Sequence, residues 1–186
     1  IAAPSLAAAA TIPPAPATRL NEVPDLQEII ALPQDEMRAV VQRVSEAAVD
    51  IGGKRHAEIH QGLLVLLGVE TGDTEEDLEW LCGKIVRLRI FADTAGLMNL
   101  DIHQVKGEIL LVSQFTLHAS TVKGNRPSYI RAARPEEAIP LYQRAEQRLA
   151  ELLGRSVRTG VFGANMQVGL INDGPVTIII DSKLRE

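Results

Sequence analysis

Two polar segments of this chain follow apolar runs, and their residues are of types that can stabilise charge. The segment SQFTL (Ser113–Leu117) comes directly after Ile109–Val112, and the segment NDGPVT (Asn172–Thr177) comes after Val168–Ile171. The apolar runs are typical of buried strands, so each polar segment should begin where a strand leaves the core. Hydroxyl, amide and backbone N–H donors are available there. Such donors stabilise the oxyanion formed from an activated ester, and each well-placed donor contributes about 3–4 kcal/mol.

The Gly174-Pro175 pair interrupts a strand pattern that resumes at once with Val176–Ile180. Proline removes a hydrogen-bond donor from the sheet and glycine removes side-chain packing, so the pair weakens a strand in two ways. We interpret the pair as a place where backbone atoms are presented to a ligand. The alternative interpretation is a plain turn in an edge strand, with a trans peptide bond.

The sequence lacks the motifs of several enzyme classes. It contains no Gly-x-Ser-x-Gly elbow around Ser113, no Gly-x-x-x-x-Gly-Lys-Ser/Thr phosphate loop and no Gly-x-Gly-x-x-Gly. The single cysteine, Cys82, falls on an apolar helical face and should be a buried, unreactive thiol. The four histidines show no metal-binding spacing, so we expect neither a metal nor a cofactor. We expect His118 to be a surface or edge-strand residue.

The net charge of −5 is unevenly distributed along the chain. Residues 1–36 contain five acidic residues and one basic residue, whereas residues 120–134 contain four basic residues and no acidic residue. A small basic stretch on a nearly neutral body suits a limited phosphate contact and does not suit broad nucleic-acid binding. The alternative is a solvated loop without a partner.

Residues 1–36 differ in composition from the rest, because alanine and proline supply twelve of the first twenty residues. We interpret this segment as an N-terminal extension, namely a tag, a processed peptide or a linker, with the domain spanning 37–186. No apolar run reaches eighteen residues, so we expect no membrane-spanning segment.

The pattern after residue 36 predicts an α+β fold with a mostly antiparallel, barrel-like sheet and two main helices. Thr74 should cap the first helix, and the second should span Pro135–Leu153 with a late start or a kink at Pro140. The predicted strands are Met37–Val44, Ala47–Ile51, Arg55–Ile59, Leu63–Val69, Arg89–Ala92, Glu108–Leu117, Val157–Phe162, Asn165–Ile171 and Val176–Asp181. The segment Met98–Leu100 falls in a predicted loop.

Together, the SQFTL and NDGPVT segments resemble the two signature motifs of the D-aminoacyl-tRNA deacylase family. Further blocks match that family in the same order. They are Met37–Val44 (MRAVVQRV), Gly62–Gly68 (GLLVLLG), Leu88–Phe91 (LRIF), Met98–Leu100 (MNL), Lys123–Ser128 (KGNRPS) and Thr159–Met166 (TGVFGANM). The match covers 37–186 and none of 1–36, and so many blocks in register are a specific signal. The chain departs from the family at His118 and Ser120, where an aromatic and an acidic residue are expected.

Membership would imply a cytoplasmic, homodimeric enzyme that needs no cofactor and hydrolyses the ester of D-aminoacyl-tRNA. Glycyl-tRNA mischarged on tRNA(Ala) would be a further substrate. The enzyme would bind the 3′-terminal adenosine of the tRNA together with the attached amino acid. The resemblance assigns catalysis to Gln114, Phe115 and Thr116. It assigns substrate binding to Arg43, Ser113, Lys123, Arg126, Met166, Asn172, Gly174 and Pro175.

The resemblance also implies how an L-aminoacyl group is rejected. Gly174-Pro175 would form a cis peptide that reaches into the pocket of the partner subunit and is held by Arg43. Its carbonyl oxygens would lie where an L side chain has to go. A 10⁴-fold rejection requires about 5.5 kcal/mol, which a carbonyl clash can supply. Because the sequence offers no general base, we expect the adjacent ribose hydroxyl of the substrate to help activate water.

Simpler roles stay open for the first motif. Ser113 and Thr116 could be structural hydroxyls, and Gln114 could be a surface amide, since strand alternation would put it opposite Ser113 and Phe115. Two other functions also stay open. One is an esterase of the same fold with a different aminoacyl substrate, and the other is a catalytically inert module that binds the 3′ end of tRNA.

Overall fold

A computed structural model describes residues 37–184, so the predicted extension over 1–36 lies outside the described residues. The architecture is α+β, as predicted, with two α-helices and a barrel-like mixed sheet. The strands are β1 (Arg38–Ile51), β2 (Lys54–Ile59), β3 (Gly62–Gly68), β4 (Phe91–Ala92), β5 (Met98–Leu100), β6 (Glu108–Ser113), β7 (Arg158–Thr159) and β8 (Met166–Asp181). The helices are α1 (Glu75–Val86), α2 (Pro135–Leu153) and a short 3₁₀ helix (Phe115–His118).

Strand β1 organises the sheet because it pairs along both edges. Its first half pairs antiparallel with β3 and its second half with β2, while β8 pairs with it from Arg38 to Ile51. The prediction of two separate strands over Met37–Val44 and Ala47–Ile51 was wrong. The buried positions shift by one residue between Val41 and Val44, where the register against β8 also shifts. A bulge therefore looks like a strand end in the sequence.

Most strand pairs are antiparallel, as predicted, but two are parallel, so the sheet is mixed. β3 pairs in parallel with β6, and β6 pairs in parallel with β7. Helices α1 and α2 lie in the two long connections that such pairs require. Strands β3 and β6 approach closely at Gly62, where a Cβ atom would lie 1.9 Å from the carbonyl oxygen of Glu108. Only glycine fits at that position.

Helix α1 begins at the predicted cap and buries one face. Thr74 Oγ1 accepts a hydrogen bond from Asp77 N at 3.4 Å, and Asp77 Oδ2 accepts one from Thr74 N at 3.0 Å. Cys82 on the buried face is 2% exposed, and burial raises the pKa of its thiol to about 12. The thiol is therefore buried and unreactive, as predicted. No helix in residues 37–184 is long and apolar enough to cross a membrane.

Helix α2 begins at Pro135 and ends before Gly154, which has a φ of 70°, as the sequence predicted. The expected late start or kink at Pro140 was wrong, because the helix runs without interruption through this residue. Pro140 removes the N–H that would bind the carbonyl of Glu136. Both residues are exposed, so water can bind that carbonyl instead.

The short strands were predicted least well. β4 and β7 have two residues each, whereas the predicted strands covered Arg89–Ala92 and Val157–Phe162. The segment Met98–Leu100 is strand β5 and pairs with β4, although the sequence predicted a loop there. Such short pairs are determined by contacts between distant segments and leave little local pattern.

The turn between β3 and α1 contains the carboxylate of Asp73. Its Oδ2 accepts a hydrogen bond from Glu70 N at 2.7 Å, whereas Oδ1 is buried without a hydrogen-bond partner in residues 37–184. Burial raises the pKa of Asp73 from 3.8 to about 7, against the lowering effect of the Glu70 hydrogen bond. The folded protein therefore keeps a proton that the unfolded chain releases. Stability should fall as the pH rises through the window between these two pKa values.

We expect Asp73→Asn to stabilise the protein more at pH 8 than at pH 5, because the amide stays neutral and can still accept the Glu70 hydrogen bond. After a discount for partial exposure, the difference should be about 1–2 kcal/mol, or roughly 2–8 °C in Tm, measured by thermal unfolding. Asp93→Asn is the matched control. Three hydrogen bonds lower the pKa of Asp93, so Asp93→Asn should not stabilise the protein more at pH 8 than at pH 5. An equal effect of Asp73→Asn at both pH values would contradict the raised pKa.

Candidate active site

A cavity of about 290 Å³ lies beside the end of β6. Ser113, Gln114 and Phe115 line it together with the segment 162–166 and apolar residues of β3 and α2. Three of the four predicted site residues of the SQFTL segment thus share one cavity, whereas Thr116 does not line it. This placement follows from the topology, because β6 ends between its parallel neighbours β3 and β7.

The cavity offers polar groups but no charged side chain. The polar side chains among its described lining residues are Ser113, Gln114, Asn165 and Tyr142, and none of the lining residues is Asp, Glu, His, Lys or Arg. The Tyr142 hydroxyl donates to the carbonyl of Leu111 at 2.9 Å, and burial raises the pKa of Tyr142. No described lining side chain is therefore a general base near neutral pH.

The SQFTL segment leaves the sheet directly after Ser113. The N–H of Gln114 donates to a β3 carbonyl at 2.8 Å, and the 3₁₀ helix then begins at Phe115. The prediction that the strand continues to Leu117 was wrong. Because the strand ends, the side chain of Gln114 does not point away from Ser113 and Phe115. It lines the same cavity, and its Nε2 donates to Thr116 Oγ1.

The 3₁₀ helix leaves two backbone donors at its start. The first N–H groups of a helix have no partner within it, so those of Phe115 and Thr116 have no acceptor inside the 3₁₀ helix. Its other end is held by Arg38, whose Nη1 donates to the carbonyl of Leu117 at 2.9 Å. Arg38 also binds Asp181 Oδ2 at 3.0 Å. Strands β1 and β8 therefore fix the position of the helix.

His118 is buried, contrary to the expectation of a surface or edge-strand residue. Its side chain is 0% exposed, and Nδ1 lies 3.5 Å from Oε2 of Glu70. Burial lowers the pKa of His118 and keeps the imidazole neutral. The ring also packs on Gly68, where a Cβ atom would lie 2.8 Å from Nε2. His118 does not line the cavity; as the last residue of the 3₁₀ helix, it anchors that helix in the interior of the fold.

The NDGPVT segment bulges out of a continuous strand β8. Thr177 pairs with Gln42 and Asn172 pairs with Val44, so four residues of β8 lie opposite Arg43 alone. The prediction of two separate strands in this region was therefore wrong. The Gly174–Pro175 peptide bond is cis, and Gly174 has a φ of 124°.

Gly174 and Pro175 are exposed at the tip of this bulge and do not line the cavity of the same chain. Asn172 braces the base of the bulge. Its Nδ2 donates to Thr177 Oγ1 at 3.0 Å, and its Oδ1 accepts a hydrogen bond from Val176 N at 3.2 Å. Asn172 thus has a visible role in holding the segment together.

Arg43 lies directly beneath the bulge. Its Nε is 3.1 Å from both the carbonyl oxygen and Oδ2 of Asp173, and its Nη1 donates to the carbonyl of Ile90. The Arg43 side chain is 12% exposed. Glycine is favoured at position 174 by its positive φ, and a Cβ atom there would also lie 2.8 Å from Arg43 Nη2.

Met166, at the start of β8, lines the same cavity as the SQFTL segment. Its Sδ would lie 2.5 Å from a Cβ atom on Gly160, so the glycine makes room for it. Phe162 packs edge-to-face on Tyr142, with ring centroids 5.8 Å apart. Phe162, Tyr142 and Asn165 were not predicted as site residues, although Phe162 and Asn165 lie in the TGVFGANM block that carried the resemblance.

Lys123 and Arg126 lie outside the cavity, on the exposed loop 120–134. No ion pair is found for either side chain within the described part of the chain. The structure therefore brings together Ser113, Gln114, Phe115 and Met166 in one cavity. It places Arg43 with the Gly174-Pro175 bulge at a separate position.

A larger groove of about 660 Å³ lies on the other side of the 3₁₀ helix, against β1, β8 and α1. It is lined mainly by apolar side chains and contains none of the predicted site residues. We place the candidate site in the smaller cavity, because that cavity has the polar end of β6. Within 37–184, no three His, Cys, Asp or Glu side chains are grouped so that they could hold a metal ion.

Comparison with known proteins identifies the family. The model of the family described as D-Tyr-tRNA(Tyr) deacylase matches residues 40–181, a range that includes both motifs. The chain belongs to the D-aminoacyl-tRNA deacylase family. The family membership that the two motifs indicated is thereby confirmed for this deacylase.

Similar proteins match most of this chain. The D-aminoacyl-tRNA deacylase of Akkermansia muciniphila is 61% identical and that of Flavobacterium johnsoniae 55% identical, each over 150 residues. Each match spans 81% of this chain and 100% of the relative. The solved structure of the c-Myc DNA Unwinding Element Binding Protein is 41% identical, with a TM-score of 0.74 over 77% of this chain and 97% of that chain. A probable eukaryotic D-amino acid tRNA deacylase shares the fold at 18% identity, with a TM-score of 0.68 over 78% of this chain and 99% of that chain.

Proposed function

We propose that this deacylase is a hydrolase that cleaves the ester between a D-amino acid and the 3′-terminal adenosine of tRNA. The products are the free amino acid and tRNA. The observation that carries the proposal is the cavity lined by Ser113, Gln114 and Phe115, which has polar donors but no side-chain base among its described lining residues. Such a site is too weak for an amide but suits an activated ester, whose hydrolysis depends mainly on oxyanion stabilisation.

Within this site, the 3₁₀ helix supplies the catalytic groups. The N–H groups of Phe115 and Thr116 donate to the ester oxygen as its negative charge develops. Gln114 fixes the Thr116 hydroxyl through the hydrogen bond from its Nε2. Ser113 contacts the aminoacyl group, and Met166, which lines the same cavity, packs on the adenosine.

Gly174-Pro175 selects the chirality of a substrate that is bound to a second copy of the chain. In support, the pair is exposed at the tip of a bulge and does not line its own cavity. Exposed apolar side chains on the same strand, including Ile171 and Ile179 at 55% and 68%, favour a homodimer through this region. The carbonyl oxygens of the pair would occupy the space that an L side chain needs.

A filter of this kind rejects by shape and does not depend on the identity of the side chain. A D side chain points away from the carbonyl oxygens, and glycine has no side chain to reject. Glycyl-tRNA mischarged on tRNA(Ala) is therefore a second substrate. Because aminoacyl-tRNA is used in translation, we place the enzyme in the cytoplasm.

Deacylation of matched D-tyrosyl-tRNA and L-tyrosyl-tRNA tests the proposed function. We expect rapid release of D-tyrosine and a rate on the L-ester about 10³- to 10⁴-fold lower, after subtraction of spontaneous hydrolysis. Mischarged glycyl-tRNA(Ala) should be cleaved in the same assay. Equal rates on both tyrosyl esters would indicate an unselective esterase, and binding without release would indicate an inert tRNA-binding module.

A further inference from the structure

Tyr129 and Phe115 form an exposed aromatic pair whose rings the chemistry above does not use. Their ring centroids are 5.1 Å apart and the rings meet edge to face at 73°. The two side chains are 41% and 56% exposed, respectively. Phe115 lines the cavity and Tyr129 does not, so the pair leads from the cavity rim onto the loop 120–134.

The backbone on both sides of Tyr129 is fixed, although its ring is exposed. On one side, Ser120 and Ser128 exchange two backbone hydrogen bonds of 2.8 Å. On the other side, Arg131 Nε lies 2.7 Å from the buried carboxylate of Glu70. A ligand that binds the Tyr129 ring would therefore not have to order the loop, which lowers the entropic cost of binding.

The charges on the loop that contains Tyr129 indicate the class of ligand. The loop contains four basic residues and no acidic residue, and Lys123 and Arg126 form no ion pair within residues 37–184. An exposed aromatic ring on the same loop as cations that form no ion pair within 37–184 fits single-stranded nucleic acid, because bases stack on the ring while phosphates contact the cations. An acidic peptide would use the cations but would leave the ring without a specific partner.

We propose that Tyr129 stacks on an unpaired base of the tRNA 3′ end, namely the base that precedes the terminal adenosine. Lys123 and Arg126 then contact the phosphates next to that base. The inference rests on the proposed function, because an adenosine ester held beside Phe115 puts the preceding nucleotide at the cavity rim. Stacking tolerates any base and is independent of the amino acid, so it would serve every substrate equally.

Two substrates separate this contact from the chemical step. One is D-tyrosyl-tRNA, and the other is D-tyrosyl-adenosine, which has the ester but no preceding nucleotide. We expect Tyr129→Ala to lower kcat/KM on the tRNA about tenfold, through KM, and to change kcat/KM on the adenosine ester less than about twofold. Tyr129→Phe should retain both values. Val122→Ala, at the 90% exposed tip of the same loop, is the matched control.

A tRNA with an abasic nucleotide before the terminal adenosine identifies the stacked base. The kcat/KM of the wild-type enzyme should be about tenfold lower on this substrate than on the normal tRNA. The kcat/KM of Tyr129→Ala should be the same on both tRNAs, because the substitution and the abasic site remove the same contact. Additive losses would overturn the proposal. Equal losses of Tyr129→Ala on tRNA and on the adenosine ester would also overturn it, since Tyr129 would then only support Phe115.

The salt dependence of kcat/KM distinguishes the contribution of the Tyr129 ring from that of Lys123 and Arg126. Lys123→Ala combined with Arg126→Ala should flatten the dependence of log kcat/KM on log salt by about 1.4 for two phosphate contacts, whereas Tyr129→Ala should leave the slope unchanged. If no variant affects either substrate while the wild type cleaves both, the stacking proposal fails and the proposed function stands. If the wild type cleaves neither, the proposed function itself fails.

Discussion

A D-aminoacyl-tRNA whose terminal ribose lacks the 2′-hydroxyl should bind normally but be cleaved about 10²- to 10⁴-fold more slowly than the natural substrate. The expectation follows from the composition of the cavity. Hydrolysis needs a group that activates water, and none of the described lining residues is Asp, Glu, His or Lys. The adjacent hydroxyl of the substrate is the remaining group that lies next to the ester.

Neither Tyr142 nor His118 can replace the ribose hydroxyl as the group that activates water. The Tyr142 hydroxyl donates to the carbonyl of Leu111 at 2.9 Å, and burial raises the pKa of Tyr142, so it cannot accept a proton from water. His118 stays neutral, but its side chain is 0% exposed and does not line the cavity.

The measurement compares single-turnover rates on the two substrates at saturating enzyme, with competition binding as a check on affinity. We expect similar affinities and very different rates, because the hydroxyl acts in the transition state and contributes little to binding. Turnover of the deoxy substrate at the normal rate would require a general base that belongs to the protein.

Local signals in the sequence were enough to predict both α-helices. Thr74 caps α1 through contacts within one turn, and Gly154 ends α2 through its positive φ. The general fold class followed from the number of such elements and their apolar patterns. These features depend on neighbouring residues, so the sequence alone contains the necessary information.

Features that depend on distant segments were predicted less well. The continuity of β1 and β8 depends on their mutual register, which includes two shifts that local alternation cannot indicate. The burial of His118 depends on Glu70 and Gly68, which approach it only in the folded chain. The short strand β5 exists because it pairs with β4.

The candidate site divides in the same way. Ser113, Gln114 and Phe115 were predicted as a group because they are consecutive, and the structure places them in one cavity. Tyr142 was missed, because its role in the wall follows from how α2 packs over β6. The motif did not indicate that Gly174-Pro175 lies away from the cavity of the same chain, because a short sequence motif does not show in which subunit it acts.

The largest effect of a single substitution should come from Arg43→Ala, which we expect to lower the preference for D- over L-tyrosyl-tRNA by about 10- to 100-fold. Arg43 binds the carbonyl oxygen and the carboxylate of Asp173 at 3.1 Å and also binds the carbonyl of Ile90. Hydrogen bonds to a charged group contribute about 1.5–3 kcal/mol each, so their loss should let the bulge move. A steric filter that can move rejects the L-ester less well.

Two further variants make this test specific. Arg43→Lys keeps the charge but not the planar fork, so it should retain only part of the selectivity. Arg55→Ala is the matched control, because Arg55 also forms two ion pairs, at 2.6 Å with Asp50 and 2.7 Å with Glu58, but on the distant β1–β2 hairpin. It should leave the selectivity unchanged.

The result depends on measuring both esters for every variant, together with the thermal midpoint. The rate on L-tyrosyl-tRNA should rise relative to the rate on D-tyrosyl-tRNA, since the remaining brace from Asn172 to Thr177 holds only the base of the bulge. A loss of stability alone would lower both rates together. If Arg43→Ala lowers both rates by the same factor in a folded protein, the bulge does not select chirality, and rejection of the L-ester must come from the cavity wall itself.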